Sequence, residues 1–132
     1  MLSYILEEAS KGSGLKIIDT VGGTITKYNV LYVNSSGVWM KANATSGVKM
    51  PCSGIACESI TNGLKGTILT LGLIQSNEWA WTPGAVIYVS TTDGALTQTA
   101  PNTPGNKVQI AGRALTANLM LFNPDFYAST VS

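Results

Sequence analysis

The sequence predicts an all-β domain, a compact β-sandwich or small β-barrel of short antiparallel strands behind an extended N-terminal arm. Three observations carry that expectation. The longest stretch free of both Gly and Pro runs only from Thr24 to Ser36, and β-branched and aromatic residues fill it, so long helices are disfavoured. Short runs of Val, Ile, Thr, Tyr and Leu recur between Gly, Asn, Asp and Pro punctuation, which is the spacing of a sandwich or barrel. Charged residues make up 11% of the 132 while apolar residues reach 45%, so the low charge lacks the low hydrophobicity of a disordered chain, and the length suits one domain.

Residues 1–16 read as an arm and a flexible joint. Apolar Leu2, Tyr4, Ile5 and Leu6 precede Glu7 and Glu8, and Gly12 and Gly14 make a continuous helix costly. The segment is either a frayed terminus or an arm that adds to a neighbour's sheet edge. Residues 17–132 form the single β domain, with strands expected over Thr24 to Val33, Val38 to Lys41, Thr67 to Leu71, Val86 to Ser90, Val108 to Leu115 and Leu119 to Phe122.

The punctuation between these runs has a mechanism. Asn62-Gly63 and Asp93-Gly94 tolerate positive φ between β-rich runs and are candidates for tight hairpins. In Trp81-Thr82-Pro83-Gly84, Pro83 presets φ and Gly84 accepts the positive φ of a type II turn leading into the Val86 strand. Strict alternation places Thr67, Leu69 and Leu71 on one face and Ile68 on the other; such a strand is buried on both sides, by core and by a neighbouring subunit.

Composition narrows the chemistry. The chain has no histidine, which removes the commonest general base and metal ligand. Cys52 and Cys57 cannot supply a four-ligand zinc site by themselves, and read as two small buried apolar side chains or a local disulfide. No Gly-x-Ser-x-Gly elbow, P-loop or dinucleotide turn occurs. Asp19, Glu58, Glu78, Asp93 and Asp125 are scattered, and solvated surface charge is the expectation for them over an acid pair. No catalytic, metal or cofactor residue is therefore assigned.

Eight Lys and Arg against seven Asp and Glu, with Arg113 the only arginine, disfavour nucleic acid as a partner. No run approaches the ~18 apolar residues of a membrane span, and the first residues carry no secretory pattern, so a protein made in the cytoplasm and working away from membranes is expected. The sequons at Asn34 and Asn43 are chance matches in a chain this rich in Asn, Ser and Thr.

Trp79 and Trp81, one residue apart, would share a face of a strand, and with Tyr88 they form either a packing contact or a sugar-stacking platform. Arg113 is either a lone solvated cation or a partner for Glu58 or Asp93.

A resemblance covers residues 54 to 124. Gly54-Ile55-Ala56, Asn62-Gly63-Leu64-Lys65-Gly66-Thr67-Ile68 and Leu71-Gly72-Leu73-Ile74 are followed by Trp81-Thr82-Pro83-Gly84-Ala85-Val86-Ile87-Tyr88, Gly94-Ala95-Leu96-Thr97, Pro101, Val108-Gln109-Ile110-Ala111-Gly112-Arg113-Ala114-Leu115 and Pro124. In that order they resemble the small structural proteins of tailed-bacteriophage heads, which include capsid decoration (cement) proteins and head-fibre or tail-fibre base domains.

The resemblance implies a virion component on the capsid surface, made in the bacterial host, often trimeric, with the major capsid protein and its own copies as partners, and not a catalyst. Leu2, Tyr4, Ile5, Leu6, Trp79, Trp81, Tyr88 and Arg113 are the candidate contact residues. A fibre or tail-associated module and a carbohydrate-binding adhesion domain are the alternatives.

Overall fold

The computed structural model describes residues 11–132, so Leu2, Tyr4, Ile5 and Leu6 lie outside the described residues. The strands are β1 (Ser13–Thr20), β2 (Val30–Val33), β3 (Trp39–Lys41), β4 (Gly54–Ala56), β5 (Lys65–Gln75), β6 (Val86–Val89), β7 (Leu96–Thr97), β8 (Lys107–Val108), β9 (Ile110–Ala114), β10 (Leu119–Phe122) and β11 (Ser129–Thr130). A single 3₁₀ turn covers Gly47–Lys49. The expected all-β class is what the chain adopts, as a curled antiparallel half-barrel.

Nine strands make one sheet in the order β3-β2-β4-β5-β10-β9-β6-β7, with β1 added beside β5, while β8 and β11 form a separate ribbon. The 11-residue β5 organises it. β1 runs along one edge of β5, from Ser13 opposite Leu73 to Thr20 opposite Lys65. The other edge is shared, β4 pairing at Ile68 and Leu69 and β10 from Gly72 to Gln75.

The sheet separates two apolar clusters. Inside the curl lie Val30, Tyr32, Cys52, Ile55, Leu69, Ile74, Ile87, Val89, Met120 and Phe122. Behind it lie Val21, Ile25, Leu31, Trp39, Ala56, Ile60 and Ile68. Successive residues alternate between the two, Val30 and Tyr32 inward with Leu31 behind, Ile55 inward with Ala56 behind, as the two-residue period of a strand requires. The stretch from Val21 to Ile25 covers the back of this half: Val21 N–H donates to Leu64 O, Gly22 N–H to Trp39 O and Ile25 N–H to Ile60 O. Burial of Ile68 and Leu69 on opposite faces is thus achieved within one chain at this point of β5.

Simple alternation fails in the middle of β5. Leu15 pairs with Leu71 and Lys16 with Leu69, so Thr70 is an extra residue, and its hydroxyl donates to Leu15 O at 3.0 Å. One extra residue exchanges the faces. Leu69 therefore points into the curl and Leu71 outward, where strict alternation places them together.

Ser13 to Lys16, which the sequence assigns to a flexible joint, are the start of β1. Gly14 and Gly72 face each other there, and a side chain on either would run into the carbonyl oxygen of Leu71 or Ser13. The glycines permit close strand approach instead of loosening the chain.

Other boundaries also differ from the sequence reading. The expected strand from Thr24 shrinks to Val30–Val33, because Asn29 N–H donates to Thr26 O and its side chain accepts from Thr26 N–H, closing a turn at whose third position Tyr28 holds φ +77°. The run from Val108 divides at buried Gln109 into β8 and β9. Asn62-Gly63 sits in a turn closed by Leu64 N–H to Thr61 O, within an eight-residue connection from Ala56 to Lys65 that is too long for a tight hairpin. Asp93-Gly94 does join the antiparallel pair β6 and β7, and the Pro83-Gly84 turn forms as expected, with Gly84 at φ +83° and Ala85 N–H donating to Thr82 O.

Candidate interaction surface

Beyond Thr70 none of the described residues covers the back of the sheet as Val21 to Ile25 do before it. Ser13, Leu73, Leu121, Arg113 and Val86 stand opposite one another in succession across β1, β5, β10, β9 and β6. Their chain neighbours Ile74, Met120, Phe122, Ala114 and Ile87 point into the curl, so this row faces outward. Leu15 opposite Leu71 and Ile110 opposite Tyr88 extend the face on either side. Leu15 is 63% exposed, Leu71 46% and Ile110 39%, which is unusual for a set of large aliphatic side chains in cross-strand register.

The row encloses a shallow depression of about 160 Å3 lined by Val86, Ile110, Gly112, Arg113, Leu121 and Asn123. That volume is below the ~300 Å3 at which small-molecule sites begin, so the surface suits side chains of another protein rather than a cofactor. Arg113 is the only charged residue in the rows, and its Nη1 donates to Gly84 O at 3.2 Å, tying β9 to the Pro83-Gly84 turn.

Neither expected partner of Arg113 is engaged with it. Glu58 accepts from Thr67 N–H at 2.9 Å, and Asp93 lies 3.6 Å from Lys49 Nζ and accepts from Asn43. Asp19 accepts from the Thr20 N–H and from the Trp39 indole at 3.0 Å, and these bonds hold its carboxyl below the ordinary value of 3.8, the backbone bond contributing most. Among the described residues no carboxylate pairs with another, and no group of three His, Cys, Asp or Glu could hold a metal ion.

Trp79 and Trp81 do not lie in a strand but in the connection from β5 to β6. Their ring centroids are 5.5 Å apart, and the third ring of the stack is Tyr28, 5.1 Å from Trp79, not Tyr88. Both indoles are partly buried against the inner core. Asn118 Nδ2 donates to Trp79 O and the Trp81 backbone N–H to Ala117 O, while the Tyr28 hydroxyl donates to Gln75 O at 2.8 Å. This arrangement closes the end of the curl, and Tyr88 lies apart on β6 between Thr97 and Ile110. No local sequence signal marks Tyr28, whose role follows from the chain folding back by 47 residues to Gln75.

Both cysteines are buried free thiols. Burial pushes Cys52 up to about 12 and also raises Cys57, so both behave as packing residues, in line with the apolar reading. No described helix is long and apolar enough to cross a membrane.

No family model matches the chain, and no curated protein is similar enough to it to count as a relative.

Proposed function

We propose that this chain is a structural component of a bacteriophage virion, a decoration or cement protein that binds the outer surface of the capsid as a homotrimer and stabilises the shell. The observation that carries the reading is the uncovered half of the sheet's back, where Leu15, Leu71, Leu73, Leu121, Val86 and Ile110 form one apolar surface around a single arginine. An apolar core patch with one Arg and an aromatic residue, here Tyr88, at its border has the composition of a protein contact. The ordered motifs of residues 54 to 124 support the same role, since they fall on the strands and turns that build this surface.

Such a protein acts by area. At roughly 25 cal/mol per Å2, a few hundred apolar Å2 covered per copy stabilises an assembly by several kcal/mol, and binding only to the assembled shell transfers that energy to it. Electron cryo-microscopy of the native particle tests the proposal. A β domain of 13.8 kDa repeated over the shell is the expected result. Its absence from the shell overturns the reading, and density confined to the tail or one vertex replaces it with the fibre module.

A further inference from the structure

Arg113 makes the uncovered face unsuited to meeting its own copy symmetrically. In a two-fold contact the same patch meets itself, and the only charge that Arg113 would find in these rows is another arginine. Covering an unpaired guanidinium with apolar surface is costly, so the occupant must bring a carboxylate from a different part of its surface. A three-fold ring, in which one surface of each copy meets another surface of the next, allows that.

The described carboxylates differ in what they already hold. Asp19 accepts from Thr20 and Trp39, Glu58 from Thr67, Asp93 from Asn43 beside Lys49, and Asp125 from Tyr127. Glu78 is exposed, and among the described residues its carboxylate has no hydrogen-bond or ion-pair partner. Its backbone is nevertheless well fixed. Glu78 N–H donates to Ser76 Oγ at 3.2 Å, Trp79 N–H to Ser76 O, and Asn118 Nδ2 to the carbonyls of Ser76 and Trp79. A carboxylate on a rigid turn, flanked by exposed Asn77 and Ala80, is preorganised to contact a protein surface.

We propose that the apolar face of one copy closes on the Glu78 turn of the next around a three-fold axis, with Arg113 and Glu78 as the charged pair within the contact. The inference rests on reading the chain as a self-assembling structural protein, and names the surfaces that assemble.

Sedimentation of the full chain tests it. The native chain is expected at three times 13.8 kDa. Arg113→Glu and Glu78→Arg each move it to the monomer with association weakened about 100-fold, and the double variant returns it to the trimer. Glu78→Gln, the mildest change, weakens association about tenfold. Both side chains are exposed, so the dissociated variants keep the far-ultraviolet circular dichroism of the folded native chain, while their thermal midpoint falls by the stabilisation that assembly contributes. A monomeric native chain, a trimer untouched by either reversal, or a folded double variant that stays monomeric overturns the contact. Shell binding is scored separately: a monomer that coats particles removes this contact and leaves the decoration reading, whereas a trimer of the expected pairing that ignores particles does the opposite.

Discussion

Gln109 holds Cys52 by both of its main-chain polar groups. Gln109 Oε1 accepts from Cys52 N–H at 2.7 Å, and its Nε2 donates to Cys52 O at 2.9 Å and to Asp125 O at 2.8 Å. The side-chain amide thus imitates a strand neighbour for a segment that has none, and joins the stretch before β4 to the stretch after β10. Gln109 is fully buried, and its two bonds to Cys52 satisfy main-chain groups that water does not reach.

Replacing Gln109 with Leu or Met keeps the volume but strands both main-chain groups of buried Cys52 and removes the bond to Asp125 O. At 1–3 kcal/mol per unsatisfied buried group, partly offset by relaxation, the expected loss is about 3 kcal/mol in urea unfolding. A loss below about 1 kcal/mol would mean that the clamp is not needed.

Gly14 and Gly72 are expected to be intolerant of even a methyl group. Gly72→Ala drives its Cβ against Ser13 O, so β1 must move away from β5. Amide hydrogen exchange in β1 should accelerate more than in β10, and stability should drop by more than the ~1 kcal/mol typical of a point change.

Acid should weaken the fold through Asp19. Its folded carboxyl lies below 3.8 because the Thr20 N–H first, then the Trp39 indole and Lys65, favour the charged form. A group depressed in the folded state contributes stability above its unfolded value and loses it as pH falls through the folded one. The unfolding free energy of the native chain should therefore be level above pH 5 with respect to this group and decline below about pH 4, and Asp19→Asn should flatten that decline. An identical acid limb in the variant would refute the assignment.

Thiol reagents should leave the folded chain alone. With Cys52 buried and pushed up to about 12, and Cys57 buried and raised, labelling at pH 8 should follow unfolding, with both thiols reacting together in denaturant. Rapid modification of the native state would show that this region opens.

What the sequence made legible was local. The Pro83-Gly84 turn, the Asp93-Gly94 hairpin and β10 were readable because residue type alone specifies them: a fixed φ beside a permitted positive one, or four apolar residues between polar ones. The bulge at Thr70 was not, since it exists only in the register between β5 and β1, and β1 itself was hidden by glycines whose purpose is close approach. Gln109 lies in a run that reads as one strand, and nothing along the chain distinguishes a buried amide from a solvated one. Of the apolar face, Leu121 and Val86 were visible as strand residues, but the row that joins them with Arg113 and Leu73 depends on pairings between strands far apart in sequence, Ser13 with Leu73 the most distant. Trp79 and Trp81 were found as a pair, while their third ring, Tyr28, came from a distant turn.

The additional residue at Thr70 has an evolutionary corollary. Because it exchanges the faces from that point along β5, loss of this one residue would turn Leu71 and Leu73 inward and Ile74 outward, out of step with Leu121 on β10 and with the inner core. The outward row thus depends on the length of β5 as well as on the type of its side chains, and one codon is enough to break its alignment.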